Sequence, residues 1–251
     1  MKQMPKVSED ADPLVFVPDV RLHQGILSEF GRHLTADWTI LDFGCGHGGM
    51  VQAYRLLGLQ AFGADVKVER PGEWLRPIRT AAGTYTLPFD DGTFDFVYSN
   101  SVLEHVEDLD GAMAEIERVL KPDGTSLHFF PPRGRPIEPH VFVPLAGMLR
   151  ARPWLYLWAF VGVRNPFQKG LGFARVARSN HAYLHSQTFY RSTRDFTSRM
   201  RRHFRTVVLA DRQMIAHSYG RARRLAGPAR LLPPLAAAYG ALHQRCVFCA
   251  K

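Results

Sequence analysis

At 251 residues the chain can hold one large domain or a domain with a sizeable insertion. Its 46% hydrophobic and 22% charged residues are the balance of an ordinary soluble globular protein. The net charge of +9 hides a split. Up to Leu149 there are 13 Lys/Arg against 21 Asp/Glu, so 13 − 21 = −8; from Arg150 onward 19 Lys/Arg face only Asp195 and Asp211, so 19 − 2 = +17. Such asymmetry suits a polyanionic partner or an anionic membrane surface for the second part, with a solvated basic surface as the plainer alternative. Met1 to Pro13 lacks the apolar segment of a secretory signal. The longest apolar run, Trp154 to Val163, falls short of the ~20 residues that a bilayer-crossing helix needs. Three cysteines, an odd number in a long chain, fit a reduced, cytoplasmic setting.

In chain order, residues 1–18 read as a loose N-terminal arm, tacked to the body through Leu14, Val15, Phe16 and Val17, and Asp19 as a helix N-cap. Leu22, Ile26, Phe30 and Leu34 then fall at spacing four, with Leu27 beside them, which predicts an amphipathic helix. Ile40, Leu41 and Phe43 form a short apolar strand interrupted by the carboxylate of Asp42. Gly44, Gly46, Gly48 and Gly49 follow within six positions, and after them Met50, Ala53, Tyr54 and Leu57 run at helical spacing, with Gly58 as the stop. Strand, glycine-rich turn and helix is the layout of a nucleotide site at the carboxyl end of a parallel strand. Leu59 to Ala64 reads as the next strand and ends in Asp65, 65 − 44 = 21 positions after Gly44, where a carboxylate can grip a ribose diol.

The segment Leu41-Asp42-Phe43-Gly44-Cys45-Gly46-His47-Gly48 resembles the first motif of class I S-adenosylmethionine-dependent methyltransferases. Gly49 also supplies the third position of a dinucleotide pattern, so a nicotinamide-dependent oxidoreductase stays open on glycines alone. The resemblance implies an α/β fold: a Rossmann-like, seven-stranded, mostly parallel sheet with helices on both faces. It implies S-adenosyl-L-methionine as cofactor, with Asp42, Gly44, Gly46 and Gly48 at the methionine end and Asp65 on the ribose.

Further along, Ile78 to Ala82 reads as a third strand. Leu87-Pro-Phe-Asp-Asp-Gly-Thr-Phe-Asp95 is similar to another segment of that family and implies Leu87 against the adenine. The family's usual acidic residue before it is replaced here by Gly83-Thr84-Tyr85-Thr86. Phe94 to Tyr98 makes the fourth strand. Just past it lies Asn100-Ser-Val-Leu-Glu-His-Val106, where the family places methionine-contacting and active-site residues, so Asn100 and Ser101 join the cofactor set. Leu109, Ala112, Met113, Ile116, Val119 and Leu120 mark a helix stopped by Lys121-Pro-Asp-Gly124, and Thr125 to Phe130 a fifth strand.

Residues 131–203 then form a long insertion between strands 5 and 6, read as a substrate lid within a methyltransferase domain spanning 19–251. Its apolar blocks, Val141 to Met148 and Trp154 to Val163, are bordered by Arg164, Lys169, Arg175 and Arg178, which suits peripheral membrane contact as well as a lid core. Thr206 to Leu209 and Arg245 to Ala250 are the last two strands.

Removing a proton from a hydroxyl acceptor calls for a histidine or carboxylate near the transferred methyl. His105, past the fourth strand, and His140, beside Glu138, are the catalytic candidates; a loop-supporting hydrogen bond is the rival reading for His105. His181, Tyr183 and His185 are weaker ones, better explained as a surface loop. Cys246-Val-Phe-Cys249 reads as buried thiols rather than a metal site, and nothing else has metal-ligand spacing. Asn100-Ser-Val-Leu103 lacks the signature of base N-methylating relatives and Cys45 is misplaced for base C5 chemistry, so nucleic acid is disfavoured. The acceptor expected is a small molecule, a sugar or a lipid-linked compound. A non-catalytic module that uses its basic part on membrane or RNA is the third alternative.

Overall fold

The computed structural model describes residues 12–68, 71–81, 84–220 and 222–251. Most of the proposed arm, and Ala82 and Gly83, lie outside the described residues. Pro13–Phe16 forms a 3₁₀ turn capped by Asp12, whose side chain accepts from the Leu14 amide at 2.9 Å. It leads directly into α1, Val17–Glu29. Pro13 to Pro18 is thus helical rather than loose, and Phe16 tacks it to the body by packing against Gly49, where it leaves no room for a Cβ. Asp19 is not an N-cap either. The helix begins at Val17 with Pro18 in its first turn, so Asp19 lies inside it and accepts from the Tyr219 hydroxyl at 2.6 Å. Val20, His23, Ile26 and Leu27 are the buried face of α1.

Seven strands make the main sheet: β1 (Thr39–Phe43), β2 (Gln60–Asp65), β3 (Leu75–Pro77), β6 (Phe94–Asn100), β7 (Leu120–Phe130), β8 (Thr206–Leu209) and β9 (Arg245–Ala250). Their order is β3-β2-β1-β6-β7-β9-β8. β1, β2, β3, β6 and β7 pair in parallel, and β9 runs antiparallel to both neighbours. The third strand is Leu75–Pro77, not residues 78–82. Pro77 has no N–H, and an edge strand is where that omission costs nothing. Arg79–Ala81 (β4) instead pairs with Thr84–Thr86 (β5) in a separate hairpin. Lys121 to Gly124 is the second difference. It is an excursion within β7, since Phe94 pairs with Leu120 and Phe96 with Thr125.

Helices cover both faces, as a parallel sheet requires. α1, α2 (Gly49–Leu56) and α7 (Asp211–His217) pack with Ile40, Phe96, Leu127 and Phe248 on one face. α3 (Leu109–Val119) and α6 (Thr193–Met200) pack with Leu41, Phe43, Val97 and Val247 on the other. Leu109, Met113, Ile116 and Val119 of α3 are fully buried, worth roughly 1.5–3 kcal/mol each for side chains of that size. Cys246 and Cys249 are buried on opposite faces of β9, so they cannot share a ligand.

Residues 131–203 carry α4 (Arg152–Phe160), a 3₁₀ turn at Pro166–Gln168, α5 (Phe173–Ser186) and α6. Val141, Val143, Ala146, Leu155 and Leu184 form a core of their own, joined by Trp154 and Trp158. His181, Tyr183 and His185 sit in α5, not in a surface loop. α8 (Ala226–Leu231) and α9 (Pro233–Leu242), separated at Leu232, lead into β9.

Candidate active site

The carboxyl end of β1 turns on glycine. Gly44, Gly46 and Gly48 have φ of +85°, +51° and +79°, the left-handed region that side chains resist. The three differ in what faces them. A Cβ on Gly44 would lie 2.2 Å from Val102 Cγ2, and one on Gly48 2.8 Å from Leu75. A Cβ on Gly46 would meet nothing within 4 Å. The open side of the bend is therefore at Gly46. Asp65, at the end of β2, turns its carboxylate there: Oδ2 accepts from the Gly46 amide at 2.9 Å and Oδ1 from the Lys67 amide at 3.0 Å. Each oxygen keeps a further lone pair for a ligand hydroxyl.

Asp42 lies beneath the bend, only 5% exposed. Burial pushes its carboxyl up to about 7, partly opposed by Tyr98 and reinforced by the charge of Asp65. Asn100 and Ser101 are exposed at the end of β6. Asn100 Oδ1 accepts from Gln244 Nε2 at 3.1 Å, a partner 144 positions away that the sequence does not reveal. Leu87 departs from expectation. It is 2% exposed inside the core, with its amide held by Glu115 Oε2 at 2.7 Å, and so presents no face to a purine. These groups fit an adenosyl ligand at the bend and the diol carboxylate, and leave the adenine side without the expected leucine.

The two catalytic candidates, 35 residues apart in sequence, are in contact. His105 Nε2 and His140 Nε2 are 3.2 Å apart, with the rings edge to face at 4.8 Å between centroids. His105 belongs to the 3₁₀ turn Leu103–His105, which follows β6 directly after the Val102 that covers Gly44. His140 lies on the first loop of the insertion. His105 Nδ1 meets the Gln187 carbonyl at 2.5 Å. A carbonyl only accepts, so Nδ1 carries the proton. This bond is the loop-supporting one that the rival reading of His105 expects.

His140 Nδ1 meets Glu138 Oε1 at 2.5 Å. Glu138 is buried, which by itself would raise its carboxyl, but bonds from the His140 side chain, the Val141 amide and Tyr190 hold it below the usual range. Tyr190 donates at 2.7 Å. Its role had no signal in the sequence, since 52 positions separate it from Glu138. Tyr183 packs on His140 with ring centroids 5.5 Å apart, whereas His181 and His185 stack on each other. Glu104 completes the group. It is fully buried, and neither carboxylate oxygen has a hydrogen-bond partner. Burial raises its carboxyl to about 7.

Backbone strain marks the same place. Among the described residues Ser101, Phe142 and Leu145 are the non-glycines with left-handed φ, at 56°, 63° and 53°. They lie in the two segments that carry Glu104–His105 and Glu138–His140. Strain of this kind costs on the order of 1–3 kcal/mol per residue and persists where surrounding contacts over-determine it.

Residues 41–127 match the family model described as a methyltransferase domain. The chain is 35% identical over 94 residues to a malonyl-[acyl-carrier protein] O-methyltransferase of Halorhodospira halophila, covering 34% of this chain and 32% of that protein. It is also 35% identical over 94 residues to a sterol 4-C-methyltransferase of Caenorhabditis elegans, covering 34% of this chain and 28% of that one. The match thus spans about a third of the length of these relatives. A solved geranyl diphosphate C-methyltransferase of Streptomyces coelicolor A3(2) aligns over 92% of this chain and 76% of its own, at 18% identity and a TM-score of 0.47. The glycine bend and the strand-end carboxylate both lie within residues 41–127, the region that matches a methyltransferase domain, and this similarity favours the S-adenosylmethionine reading over the nicotinamide one.

Proposed function

We propose that this protein methylates a hydroxyl of a small molecule, a sugar or a lipid-linked acceptor, using S-adenosylmethionine. The observation that carries the reading is the Asp65 carboxylate on the open side of the Gly46 bend, with the Leu103–His105 turn laid against the same bend through Val102. Asp42, Gly44, Gly46 and Gly48 would hold the methionine end, Asp65 the ribose diol, and Asn100 and Ser101 the edge nearest the acceptor. The bound cofactor supplies an electrophilic methyl group. The chain's own contribution is alignment, worth up to ~7–11 kcal/mol in an in-line displacement, and management of the acceptor's proton. The paired histidines favour oxygen as the acceptor atom, because a hydroxyl has a proton to lose. Glu138 orients His140 and the Gln187 carbonyl orients His105, so that both Nε2 atoms face the acceptor. Residues 131–203 act as the lid.

Calorimetry with S-adenosylmethionine tests the cofactor half. Asp65→Ala is expected to weaken binding at least tenfold, equivalent to ~1.4 kcal/mol or more, with the fold retained by circular dichroism. Equal affinity in the variant would remove Asp65 from the site. Incubation with a cell extract and labelled cofactor, followed by mass spectrometry for a product heavier by one methylene, tests the acceptor half.

The lid's outer surface supports membrane contact for a lipid-linked acceptor. Phe160 and Val161 at the end of α4 are 73% and 63% exposed, and Phe160 and Phe173 touch edge to face at 5.7 Å. Arg164, Lys169, Arg175 and Arg178 follow closely in sequence. No helix among the described residues is long and apolar enough to cross a membrane. Co-sedimentation with phosphatidylserine vesicles should exceed that with phosphatidylcholine, fall with salt, and drop on Phe160→Ser. Equal recovery in the supernatant with both lipids would remove the membrane from this reading.

A further inference from the structure

The two histidine rings meet through their Nε2 atoms. Nδ1 of His105 is committed to a carbonyl oxygen and Nδ1 of His140 to an ionised carboxylate. In neutral rings both Nε2 atoms are then lone pairs, 3.2 Å apart. Beside them stands Glu104, buried and with both oxygens unpartnered. One atom from each of Glu104, His105 and His140 lies within 4.8 Å of the other two. Three electron-pair donors so grouped repel unless protons or a cation sit among them, and a buried carboxyl without a partner is costly while ionised. A cation removes all three penalties together.

We propose that Glu104, His105 and His140 form a binding site for one divalent transition-metal ion of the zinc class. Two imidazole nitrogens on a tetrahedral zinc at ~2.05 Å are ~3.3 Å apart, which is the separation that the histidines already have. Glu104 closes its remaining gap, at most ~1.5 Å on the same geometry, by rotating its side chain. The surroundings are those of a metal site too. Metal-bound histidines donate their other N–H to a carboxylate or carbonyl, which fixes the tautomer. His140 does so to Glu138 and His105 to Gln187, and Glu138 is in turn held by Tyr190 and by two backbone amides. Two nitrogens and one carboxylate select zinc, iron, cobalt or nickel over calcium or magnesium, and leave at least one coordination position open. The His140 side chain is 22% exposed, so an ion has a way in.

The proposal rests on the preceding reading for the use of the site and not for its existence. There the ion would coordinate the acceptor hydroxyl and favour its ionised form, the proton leaving to solvent at the exposed edge of His140, so that the histidines hold the ion and take no proton themselves. The site was invisible in sequence because His140 is 35 positions from His105.

The test is metal content and spectroscopy on the full chain, stripped with chelator and reloaded. Wild type should retain one equivalent of zinc after dialysis, and its cobalt form should show visible d–d absorption. His140→Ala and Glu104→Gln should each lose both signals, and Glu138→Gln should weaken affinity about 10–100-fold. If the variants fail to fold, long-range nitrogen-detected NMR of the wild type decides: two of its 11 histidines should shift at Nε2 on zinc addition. Zinc retained equally by the variants, or histidine spectra unmoved by zinc, would overturn the site. Calorimetry with S-adenosylmethionine on the same samples separates the outcomes. Cofactor binding without metal sinks this proposal alone, and metal without cofactor binding sinks the methyltransferase reading alone.

Discussion

Single residues divide the glycine bend into a packed side and an open side. At Gly44 an added methyl collides with Val102, whereas at Gly46 it projects into free space. Both positions have positive φ, so each substitution carries a backbone cost of roughly 1 kcal/mol. Gly44→Ala should therefore destabilise the fold by more, ~2–4 kcal/mol with the overpacking, and lower the melting temperature visibly. Gly46→Ala should melt within a few degrees of wild type and yet lose S-adenosylmethionine affinity. Thermal melts paired with calorimetry check this, and equal behaviour of the two variants would mean that Gly46 does not face the ligand. Spacing identified the glycines as a group. Which of them lines the site depended on Val102, from the turn after β6, and Leu75, from β3.

At the scale of elements, α3 was readable because its apolar residues keep helical spacing and its face is buried throughout. The third strand was not. Three residues with a proline carry no periodic signal, and their place follows only from pairing with β2. The segment before β6 is tied to α3 by Arg118, which donates to the Leu87 and Phe89 carbonyls and pairs with Glu115 and Asp91. Arg118→Met should remove ~1–3 kcal/mol, since about 1 kcal/mol per bond is discounted for the 28% exposure of the side chain. A melting point unchanged within 1–2 °C, where about 2–4 °C per kcal/mol is expected for a chain of this size, would show that these bonds add nothing net. The insertion is fastened to the opposite end of α3. Arg199 and Arg202 pair with Asp110, while Arg191 donates to the Val106 and Glu107 carbonyls. Those contacts carry the lid onto the segment that holds Glu104 and His105.

Across the whole molecule, charge and proton balance behave differently from what the composition implies. Part of the +17 excess of the second half is spent on the acidic first half, through Asp110 and Glu117. Two further histidines are sealed in the core. Burial pushes His23 and His128 down to about 3, His128 lying between Ser99 and Ser126. A base whose folded value is below its unfolded one binds fewer protons when folded. Each histidine thus contributes stability that is complete above about 6.5 and declines as pH falls from there towards 3. Asp42, raised to about 7, pulls the other way over the same window, so the histidine contribution is read as a difference. Denaturation of wild type against His128→Asn should show wild type losing relative stability by ~1.4 kcal/mol per pH unit on acidification. A difference that is flat with pH would mean that His128 is already charged in the fold.

The sequence by itself determined the sheet-and-helix class, the glycine bend and the carboxylate that serves it. These are local patterns, a strand, a turn and a strand end within 27 residues, and local pattern is what spacing encodes. Only the tertiary structure decided that Leu87 is core, that the third strand lies one step earlier, and that Glu104, His105 and His140 converge. Those outcomes depend on which segments the packed sheet and lid bring face to face. Contacts such as that between His105 and His140 leave no trace in the order of the residues, because it is burial elsewhere that places them.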